Sequence, residues 1–307
     1  MKIGILGWDH GIMGADGPFG EYDPDGPALV RHGRLRGHEM TLCTLEEISY
    51  VPDETGIDVM FGAEQARSFD AIISRAKLYG DDWRDRVERL TMLSKVPGVA
   101  MFDPVEVWTT GYSKFLMAQR LAAAGLPVPP CRSATTPEQV RAAVRQWGDV
   151  IVKPSYGRRS VDVERITDCE AEADMVAGLL RTHGTLLCQP FYPTWHGEYR
   201  LQVAGELVPS CMYKLPGLGE WHLNAPGASY ERCDPPPELA ELGLRAARTL
   251  GITLGALDVL PVDGGYVILE VNPIPAFLGF LGEDVHRATF DGVYDWVEKH
   301  AEEQSRH

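Results

Sequence analysis

The sequence predicts a mixed α/β protein whose N-terminal part is a doubly wound, parallel domain. In the first third of the chain, short apolar strands alternate with amphipathic helices at the lengths of βαβ units. In the last third, apolar strands at 255–262 and 266–272 flank Asp263-Gly264-Gly265, which is typical of an antiparallel hairpin. The chain has 307 residues, enough for roughly two or three domains.

Strand and helix patterns alternate regularly through the first third of the chain. Asp25 can cap a first helix and Gly37 can end it. A second helix carries apolar residues at helical spacing from Val87 onward. In chain order, strands are predicted at 2–6, 40–45, 69–74 and 99–102, and helices at 25–36 and 82–95. Elements of these lengths favour a parallel sheet covered by helices.

The middle segment begins near Thr110 and also mixes helices with strands. Thr136-Pro137-Glu138 is typical of a helix start, because threonine can cap the helix and proline suits its first turn. Helices are predicted at 113–124, 136–147 and 168–181, and strands at 149–154 and 185–191.

The last third is predicted to be rich in strands and to end in a helix. A strand pair is expected at 199–208 and 209–212, followed by a loop at 216–237 that is rich in Gly, Pro and Asn. A helix at 237–250 precedes the hairpin, and Gly251 ends it. We interpret a final polar helix at 293–304 as a solvated cap on the protein.

Composition excludes several classes of partner and site. Lys and Arg number 29 against 44 Asp and Glu, a net charge of −15, so nucleic acid and anionic membranes are not expected partners. The six cysteines are scattered without a C-x-x-C pair, which disfavours a disulfide framework or a zinc site. Together with an N-terminal apolar run too short for a signal peptide, this favours a reducing, cytoplasmic location.

The C-terminal hairpin predicts a metal site. A turn centred on Gly264 places Asp258 directly opposite Glu270, and Asn272 shares the face of Glu270 because side chains alternate along a strand. Two facing carboxylates repel each other unless a cation lies between them, and oxygen ligands suit Mg²⁺ better than zinc. The alternative is a wet sheet surface, but the surrounding Leu, Val and Ile residues disfavour it.

A second feature is a lysine on an apolar strand. Lys153 follows Val150-Ile151-Val152, where a buried ammonium group is unfavourable unless it meets an anion. The next segment, residues 154–160, contains a glycine and two arginines that could cover phosphates. Lys114 is a second candidate of this kind. Either lysine could instead extend to solvent from the end of its element.

A third segment contains Gln189-Pro190-Phe191 and then Glu198-Tyr199-Arg200. By itself it indicates only a strand, a connection and another strand. In their order along the chain, however, the three features resemble the ATP-grasp superfamily. Their spacing is most similar to RimK-like glutamate ligases and glutathione synthetases. The resemblance covers about residues 110–280, and the Asp258…Glu270-Val271-Asn272 ending is its most specific part.

The resemblance implies a two-lobed ATP-grasp fold after the α/β domain, and an activity. Such enzymes are ATP-dependent carboxylate–amine ligases that form an acyl phosphate and release ADP and phosphate, with intramolecular ring closure as a variant. The implied cofactors are ATP and two Mg²⁺ ions, with Mn²⁺ as a substitute. The implied partners are a small acid and an amine, such as an amino acid or peptide, and a homo-oligomer is allowed. The alternative is a regulatory or scaffold protein that binds ATP on the same fold without turnover.

The resemblance also implies roles for single residues. Lys114 and Lys153 would contact ATP phosphates, with Lys153 also near the adenine, and Glu198 would hold the ribose. Arg200 would lie beside the transferred phosphate and is the catalytic candidate. The remaining implied nucleotide contacts are Gly157 and Ser160 in the small loop, Gln189, the backbone groups of Pro190 and Phe191 as an adenine hinge, Lys214 and Asn224. The implied Mg²⁺ ligands are Asp258, Glu270 and Asn272.

Two positions depart from the family pattern. The phosphate-covering loop at 156–160 has fewer glycines than is usual, which affects how it would close. His222 stands where similar enzymes often have arginine. The predicted domains are 1–109 on the substrate side, 110–187 as the central lobe, and 188–307 as the C-terminal lobe with the metal site.

A glycine-rich segment at 7–20 follows the first predicted strand. It is neither a dinucleotide fingerprint nor a P-loop, since no Gly-Lys-Ser/Thr follows it. Ligands often bind at the carboxyl ends of strands in open α/β sheets, so we expect this segment to face the substrate. The alternative is a mobile surface loop. Arg31, Arg75 and Lys77 could bind a substrate carboxylate, although surface ion pairs would explain them equally well.

Overall fold

The computed structural model describes residues 1–8, 23, 25–54, 56–78, 80–157, 160–223, 227–275 and 283–304. Over these residues the chain forms one parallel and three antiparallel sheets, with helices packed against them. None of the helices in these ranges combines the length and apolarity that a bilayer span requires.

The N-terminal sheet is parallel, as predicted. Its elements are β1 (Lys2–Leu6), α1 (Asp25–Leu35), β2 (Glu39–Cys43), β6 (Ala71–Ser74), α2 (Trp83–Ser94) and β7 (Ala100–Phe102). The strand order is β2-β1-β6-β7. Between β2 and β6 the chain forms a small antiparallel sheet that the sequence analysis did not predict, made of β3 (Ile48–Asp53), β4 (Gly56–Phe61) and β5 (Glu64–Gln65).

Two neighbouring strands of the parallel sheet, β1 and β6, end side by side at one edge of the sheet. Trp8 follows β1, and Arg75 to Lys77 follow β6, which pairs with β1 from Ile3 to Leu6. Of the glycine-rich segment predicted to face the substrate, Gly7 and Trp8 are described, whereas residues 9–20 lie outside the described residues.

The middle of the chain forms an antiparallel sheet in the order β10-β9-β11-β8. Its elements are α3 (Val105–Tyr112), α4 (Lys114–Ala123), β8 (Arg132–Ala134), α5 (Pro137–Trp147), β9 (Val150–Pro154), β10 (Glu164–Ile166), α6 (Ala173–His183) and β11 (Leu186–Pro190). Side chains alternate along β9: Val150 and Val152 pack under α5 and α6, while Ile151 and Lys153 face a cleft.

Several predictions for this segment need correction. Helix α3 was not predicted. Helix α6 begins at Ala173 instead of Asp168, because the Asp168 carboxylate accepts N–H bonds from Glu170 and Ala171 and forms a separate turn. The predicted boundary at 187/188 cuts through β11, which pairs with β9 and β8 and so belongs to the central sheet.

The third large sheet is antiparallel, in the order β14-β13-β12-β15-β16. Its elements are β12 (Glu198–Ala204), β13 (Leu207–Leu215), β14 (Ser229–Cys233), α7 (Pro237–Leu250), β15 (Leu254–Val262) and β16 (Gly265–Asn272). Gly251 ends α7 in the left-handed conformation, as predicted. The structure differs from the prediction at two places. Strand β13 extends to Leu215, beyond the predicted end at 212. Part of the predicted loop at 216–237 forms the strand β14, because it pairs with β13.

The last helix, α8 (Glu283–Gln304), is a core element rather than the predicted solvated cap. Val293, Tyr294 and Val297 are fully buried in the same cluster as β1, α1 and β6. The Tyr294 hydroxyl donates a hydrogen bond to the Leu29 carbonyl at 2.8 Å. The end of the chain therefore packs on the N-terminal sheet as well as on β12 and β13.

The pairing of β13 with β14 can be tested through two cysteines. Cys211 and Cys233 are thiols on directly opposed positions, with their sulfur atoms 3.4 Å apart. Opposed antiparallel residues lie within the Cα range of a disulfide. We therefore expect diamide to link them, with loss of two hydrogens, as peptide mapping without reductant would show. The Cys233→Ser variant should lack the link, and Cys43→Ser should retain it. Full alkylation of both thiols after diamide treatment would contradict this register.

Candidate active site

A cleft of about 910 Å³ lies between the two large antiparallel sheets and reaches the carboxyl ends of the parallel strands. It brings together thirteen of the predicted site residues: Lys114, Lys153, Gly157, Ser160, Gln189, Pro190, Phe191, Glu198, Arg200, Lys214, Asp258, Glu270 and Asn272. Asn224 lies outside the described residues. These residues are spread along the chain from Lys114 to Asn272, and they converge on one site, as their order in the sequence suggested.

The hairpin of β15 and β16 has the predicted alignment at the site. Asp258 is paired with Glu270, and Ala256 with Asn272. The turn, however, is closed by the pair Val262 and Gly265, so its centre lies between Asp263 and Gly264 and not on Gly264. An irregularity next to Asp258 restores the alignment, because a bulge adds one residue to β16.

Neighbouring strands supply the counter-ions of Asp258. Arg200 lies opposite Asp258 on β12, and its Nη1 is 2.8 Å from both carboxylate oxygens. Lys214 lies opposite Glu198 on β13, and its Nζ is 2.6 Å from Glu198 Oε1 and 3.3 Å from Asp258 Oδ1. The repulsion that the sequence analysis anticipated is therefore relieved by side-chain cations.

A glycine permits the close approach of β12 and β13 at this point. Gly197, just before β12, has φ +71°, and a Cβ there would lie 2.6 Å from the Lys214 carbonyl oxygen. Any larger residue would separate the Glu198–Lys214 pair.

Burial and the neighbouring charges set the ionisation of this cluster. Burial alone would raise the pKa of Asp258, but the charges of Arg200 and Lys214 outweigh it and lower the pKa to about 2. Burial, together with the charge of Asp258, raises the pKa of Glu198 to about 8. Together with Lys114 and Lys153, Arg200 and Lys214 bring four cations to a cleft lined by the three carboxylates of Glu198, Asp258 and Glu270, in a protein of net charge −15. Such a local field suits a phosphate ligand.

Two more lysines extend the positive surface. Lys114 is the first residue of α4, and its Nζ donates to the Gly157 carbonyl at 3.0 Å and lies 3.2 Å from Glu270 Oε1. It is buried, so the alternative that it extends to solvent is wrong. Lys153 is also buried, and burial lowers the pKa of its ammonium group to about 8.

The metal prediction concerns an oxygen set with two carboxylates. Within the described ranges, no three His, Cys, Asp or Glu side chains converge on a metal-sized site. Asp258, Glu270 and Asn272 form a different set, of two carboxylates and an amide, and Asn272 Nδ2 lies 3.5 Å from Asp258 Oδ2. The oxygens are hard donors, and the low pKa of Asp258 keeps it ionised at neutral pH, so the set fits Mg²⁺.

The predicted adenine hinge differs in one detail. The backbone N–H of Phe191 donates to the Asp149 carbonyl at 2.9 Å, so this donor belongs to the sheet instead of facing a base. The Phe191 ring lies 3.9 Å from the Arg165 guanidinium, which is itself bound to Asp149, and it meets Trp221 edge-on. Arg165 and Trp221 were not predicted. His222 also lines the cleft, and its ring is tilted by 34° against that of Trp221, with the centroids 3.7 Å apart.

Comparison with known proteins identifies the family. The model of the RimK-like ATP-grasp domain matches residues 111–286, more than half of the chain. The chain belongs to this family. Family and fold make it an ATP-grasp ligase, an enzyme that joins a carboxylate to an amine with ATP, as the sequence predicted.

Named relatives and solved structures are consistent with this family. The chain is 24% identical to the probable alpha-L-glutamate ligase of Nitrosococcus oceani, over 89% of this chain and 91% of that protein. It is 27% identical to the tetrahydromethanopterin:alpha-L-glutamate ligase of Methanosarcina acetivorans, over 59% of this chain and 65% of that protein, just under two thirds of its length.

Among solved structures, the ATP-grasp ligase PsnB with a minimal precursor matches with a TM-score of 0.69 at 24% identity, over 97% of this chain and 99% of that one. The macrocyclase MdnC of Microcystis aeruginosa with its precursor peptide matches with a TM-score of 0.68 at 17% identity, over 96% and 100%. These likenesses confirm the predicted fold.

Sequence reasoning did not predict part of the cleft wall. Ser210 and Met212 share the face of Lys214 on β13, and the alternation along that strand was the signal that could have found them. Trp108 and Tyr112 also line the cleft, with ring centroids 4.5 Å apart. No comparable signal existed for these two, because α3 itself was not predicted.

Proposed function

We propose that the protein is an Mg²⁺-dependent ligase that activates a small acid as an acyl phosphate and joins it to an amine, such as an amino acid or a peptide. The observation that carries this proposal is that three cations, Arg200, Lys214 and Lys153, line one cleft together with the oxygen set of Asp258, Glu270 and Asn272. Cations for phosphates and hard oxygens for a metal are the two requirements of phosphoryl transfer from ATP.

The chemistry needs activation, because a carboxylate has oxide as its leaving group. One carboxylate oxygen attacks the γ-phosphorus of ATP, the bond from that phosphorus to the bridging oxygen breaks, and ADP leaves. The amine then attacks the acyl carbon, loses a proton, and phosphate departs with an amide formed. No enzyme nucleophile is required.

The chain's own residues supply binding and charge stabilisation. Lys114 and Lys153, which line the cleft, would hold the phosphates, and Arg200 would stabilise the charge on the transferred group. Glu198 lines the cleft and accepts a hydrogen bond from Lys214 Nζ, which orients that lysine, and it would also hold the ribose hydroxyls of ATP. Asp258, Glu270 and Asn272 would hold one or two Mg²⁺ ions, for which Mn²⁺ is a substitute, and bound Mg²⁺ neutralises phosphate charge.

Turnover of ATP is the direct test. ADP release should depend on Mg²⁺ and on the presence of both an acid and an amine. ATP that binds and stays intact with every pair would instead favour the regulatory or scaffold alternative. A ring-closing reaction uses the same phosphoryl step, and a product that has lost one water from a single substrate would identify it.

Lys153 predicts the pH dependence of ATP binding. Burial lowers the pKa of Lys153 to about 8, whereas a phosphate beside it favours the charged ammonium form. Above pH 8, Lys153 should therefore take up a proton when ATP binds. We expect ATP affinity to fall by up to about tenfold per pH unit above pH 8, measured by calorimetry. Lys153→Arg should remove this fall. An equal fall in both proteins would contradict the assignment.

The same shift has a consequence for stability. The pKa of Lys153 is lower in the folded than in the unfolded chain, so the unfolded state binds more protons between pH 8 and 10.5. The contribution of this group to the free energy of unfolding therefore rises with pH across that window. Denaturant titrations should therefore show that the free energy of unfolding of the wild type rises relative to that of Lys153→Met between pH 8 and 10.5.

A further inference from the structure

The hairpin of β15 and β16, which carries the proposed Mg²⁺ ligands, is closed by a turn at one end and open at the other. Its open end is bonded to the residues that follow β6 and β7, two neighbouring strands of the parallel sheet. The proposed chemistry does not use these bonds. They join the N-terminal sheet to both strands of the hairpin.

The first attachment holds the start of β15. Asp103 is the residue after β7, and its two carboxylate oxygens accept hydrogen bonds from the Thr253 N–H at 2.9 and 3.0 Å. Thr253 is buried and directly precedes β15, the strand that carries Asp258. Hydrogen bonds to an ionised carboxylate are stronger than those to a neutral acceptor. Asp103 therefore fixes the beginning of this strand.

The second attachment holds the chain where it leaves β16. Lys77 Nζ donates to the Ile274 carbonyl at 3.0 Å, and Arg75 Nη2 donates to the Pro275 carbonyl at 3.1 Å. Both cations are at least nine-tenths buried, so surface ion pairs do not explain these two residues. The carbonyls that they bind lie two and three residues beyond Asn272.

Helix α3 packs against the hairpin between these attachments. A Cβ on Gly111 of α3 would lie 3.0 Å from the ring carbon Cγ of Pro273, so the backbone of the helix lies directly on this proline. Asp103, Pro273 and Ile274 line one small cavity of about 10 Å³. The two attachments are therefore adjacent to each other.

The spacing of the two strands decides how the proposed ligands meet a metal ion. Asp258 lies on β15, whereas Glu270 and Asn272 lie on β16. Mg²⁺ demands nearly ideal octahedral geometry with oxygens at about 2.1 Å, so a small shift of one strand against the other weakens its binding. Groups that hold the ligands in place therefore affect metal affinity without touching the metal.

We propose that the N-terminal sheet holds both open strand ends of the hairpin at the spacing that Mg²⁺ binding requires, with Asp103, Arg75 and Lys77 as positioning residues for the metal site. This inference rests on the Mg²⁺ site of the proposed function. All three residues precede the matched RimK-like domain, which begins at residue 111.

The test measures metal binding without turnover. Calorimetry gives the dissociation constant of a non-hydrolysable ATP analogue with a β,γ-imido bridge, once in excess Mg²⁺ and once in EDTA. The constant in EDTA divided by the constant in Mg²⁺ is the Mg²⁺ factor, which measures how strongly metal and nucleotide support each other. Titrations at pH 8 keep Asp103 ionised, since burial raises its pKa to about 7.

Three variants change the attachments separately. Asp103→Ala removes the attachment of β15, and Lys77→Met removes one bond of the attachment of β16. Gly111→Ala removes no bond but pushes on Pro273. Each should lower the Mg²⁺ factor about tenfold, the low end of the effect of removing groups behind metal ligands. The dissociation constant in EDTA should stay within about twofold. Asp103→Asn, which keeps one acceptor oxygen, should recover part of the loss.

Arg89→Met is the matched control for stability. Arg89 also donates to backbone carbonyls, those of Leu45 and Ile48 at 3.2 and 2.7 Å, but these belong to the segment at β3 and not to the hairpin. The variant should therefore lower the free energy of unfolding in denaturant titrations and keep the Mg²⁺ factor of the wild type.

The outcomes distinguish this inference from the function it rests on. An unchanged Mg²⁺ factor in folded Asp103→Ala or Lys77→Met overturns the positioning role, and Gly111→Ala decides in place of either variant that does not fold. A wild type that binds the analogue equally in Mg²⁺ and in EDTA overturns the metal site and this inference together. The ligase function fails on a separate measurement, the absence of ADP release from ATP with every acid and amine.

Discussion

Replacing Arg200 with methionine is expected to lower kcat about a hundredfold to a thousandfold, the effect of removing one donor to developing charge in a transition state. Arg200 is the cation directly opposite Asp258, and it faces the cleft where the phosphoryl group would be transferred. Its guanidinium has more donors than the two contacts to Asp258 use, so it can hold Asp258 and a phosphate oxygen together.

Controls for Arg200 must separate catalysis from folding. Arg200→Met leaves Asp258 with Lys214 as its neighbouring cation, and we expect a loss of about 2 kcal/mol in unfolding free energy, less than for a fully buried pair because Arg200 is partly exposed. Arg200→Lys should recover stability more than activity. Arg232→Met, an exposed arginine on β14, should affect neither. Near-normal kcat in a folded Arg200→Met variant would exclude a role in phosphoryl transfer.

Replacing Glu270 with glutamine is the second large expected effect. Glu270 is paired with Asp258 across the hairpin and contributes one of the two carboxylates of the proposed Mg²⁺ site. Loss of its charge should lower kcat/KM for ATP about a hundredfold and raise the Mg²⁺ concentration at half-maximal rate. Steady-state ADP release over a Mg²⁺ titration measures both quantities.

Stability should change little in this variant, because the Glu270 side chain is 33% exposed and Lys114 also donates to Gly157. Glu231→Gln, on the exposed edge strand β14, is the matched control and should behave as wild type. If Glu270→Gln retained the wild-type Mg²⁺ dependence, the metal assignment would be wrong, while the ligase function would survive.

Short-range patterns account for most of what could be predicted. The alignment of Asp258 with Glu270 follows from a tight turn and two strands that are adjacent in sequence, so few alternatives compete with it. The starts of α4 and α5 were predictable for the same reason, because a cap acts on residues three positions away: Ser113 accepts from the Leu116 N–H.

Pairings between distant segments were not predictable in this way. Strand β14 is polar and exposed, and only its pairing with β13 makes it a strand. The polar helix α8 shows one buried face only once it packs on the N-terminal sheet. Likewise, nothing local relates Arg200 to Asp258, or Lys77 to Ile274.

The amino-acid sequence by itself therefore determined the strand and helix periodicities, the hairpin that pairs Asp258 with Glu270, and the family. The tertiary structure alone decided which charges neutralise each other and which side chains share the cleft. The physical reason is the range of the interactions. Alternation, capping and turns act within a few residues, whereas burial and long-range bonds depend on contacts between segments as much as 265 positions apart, such as Leu29 and Tyr294.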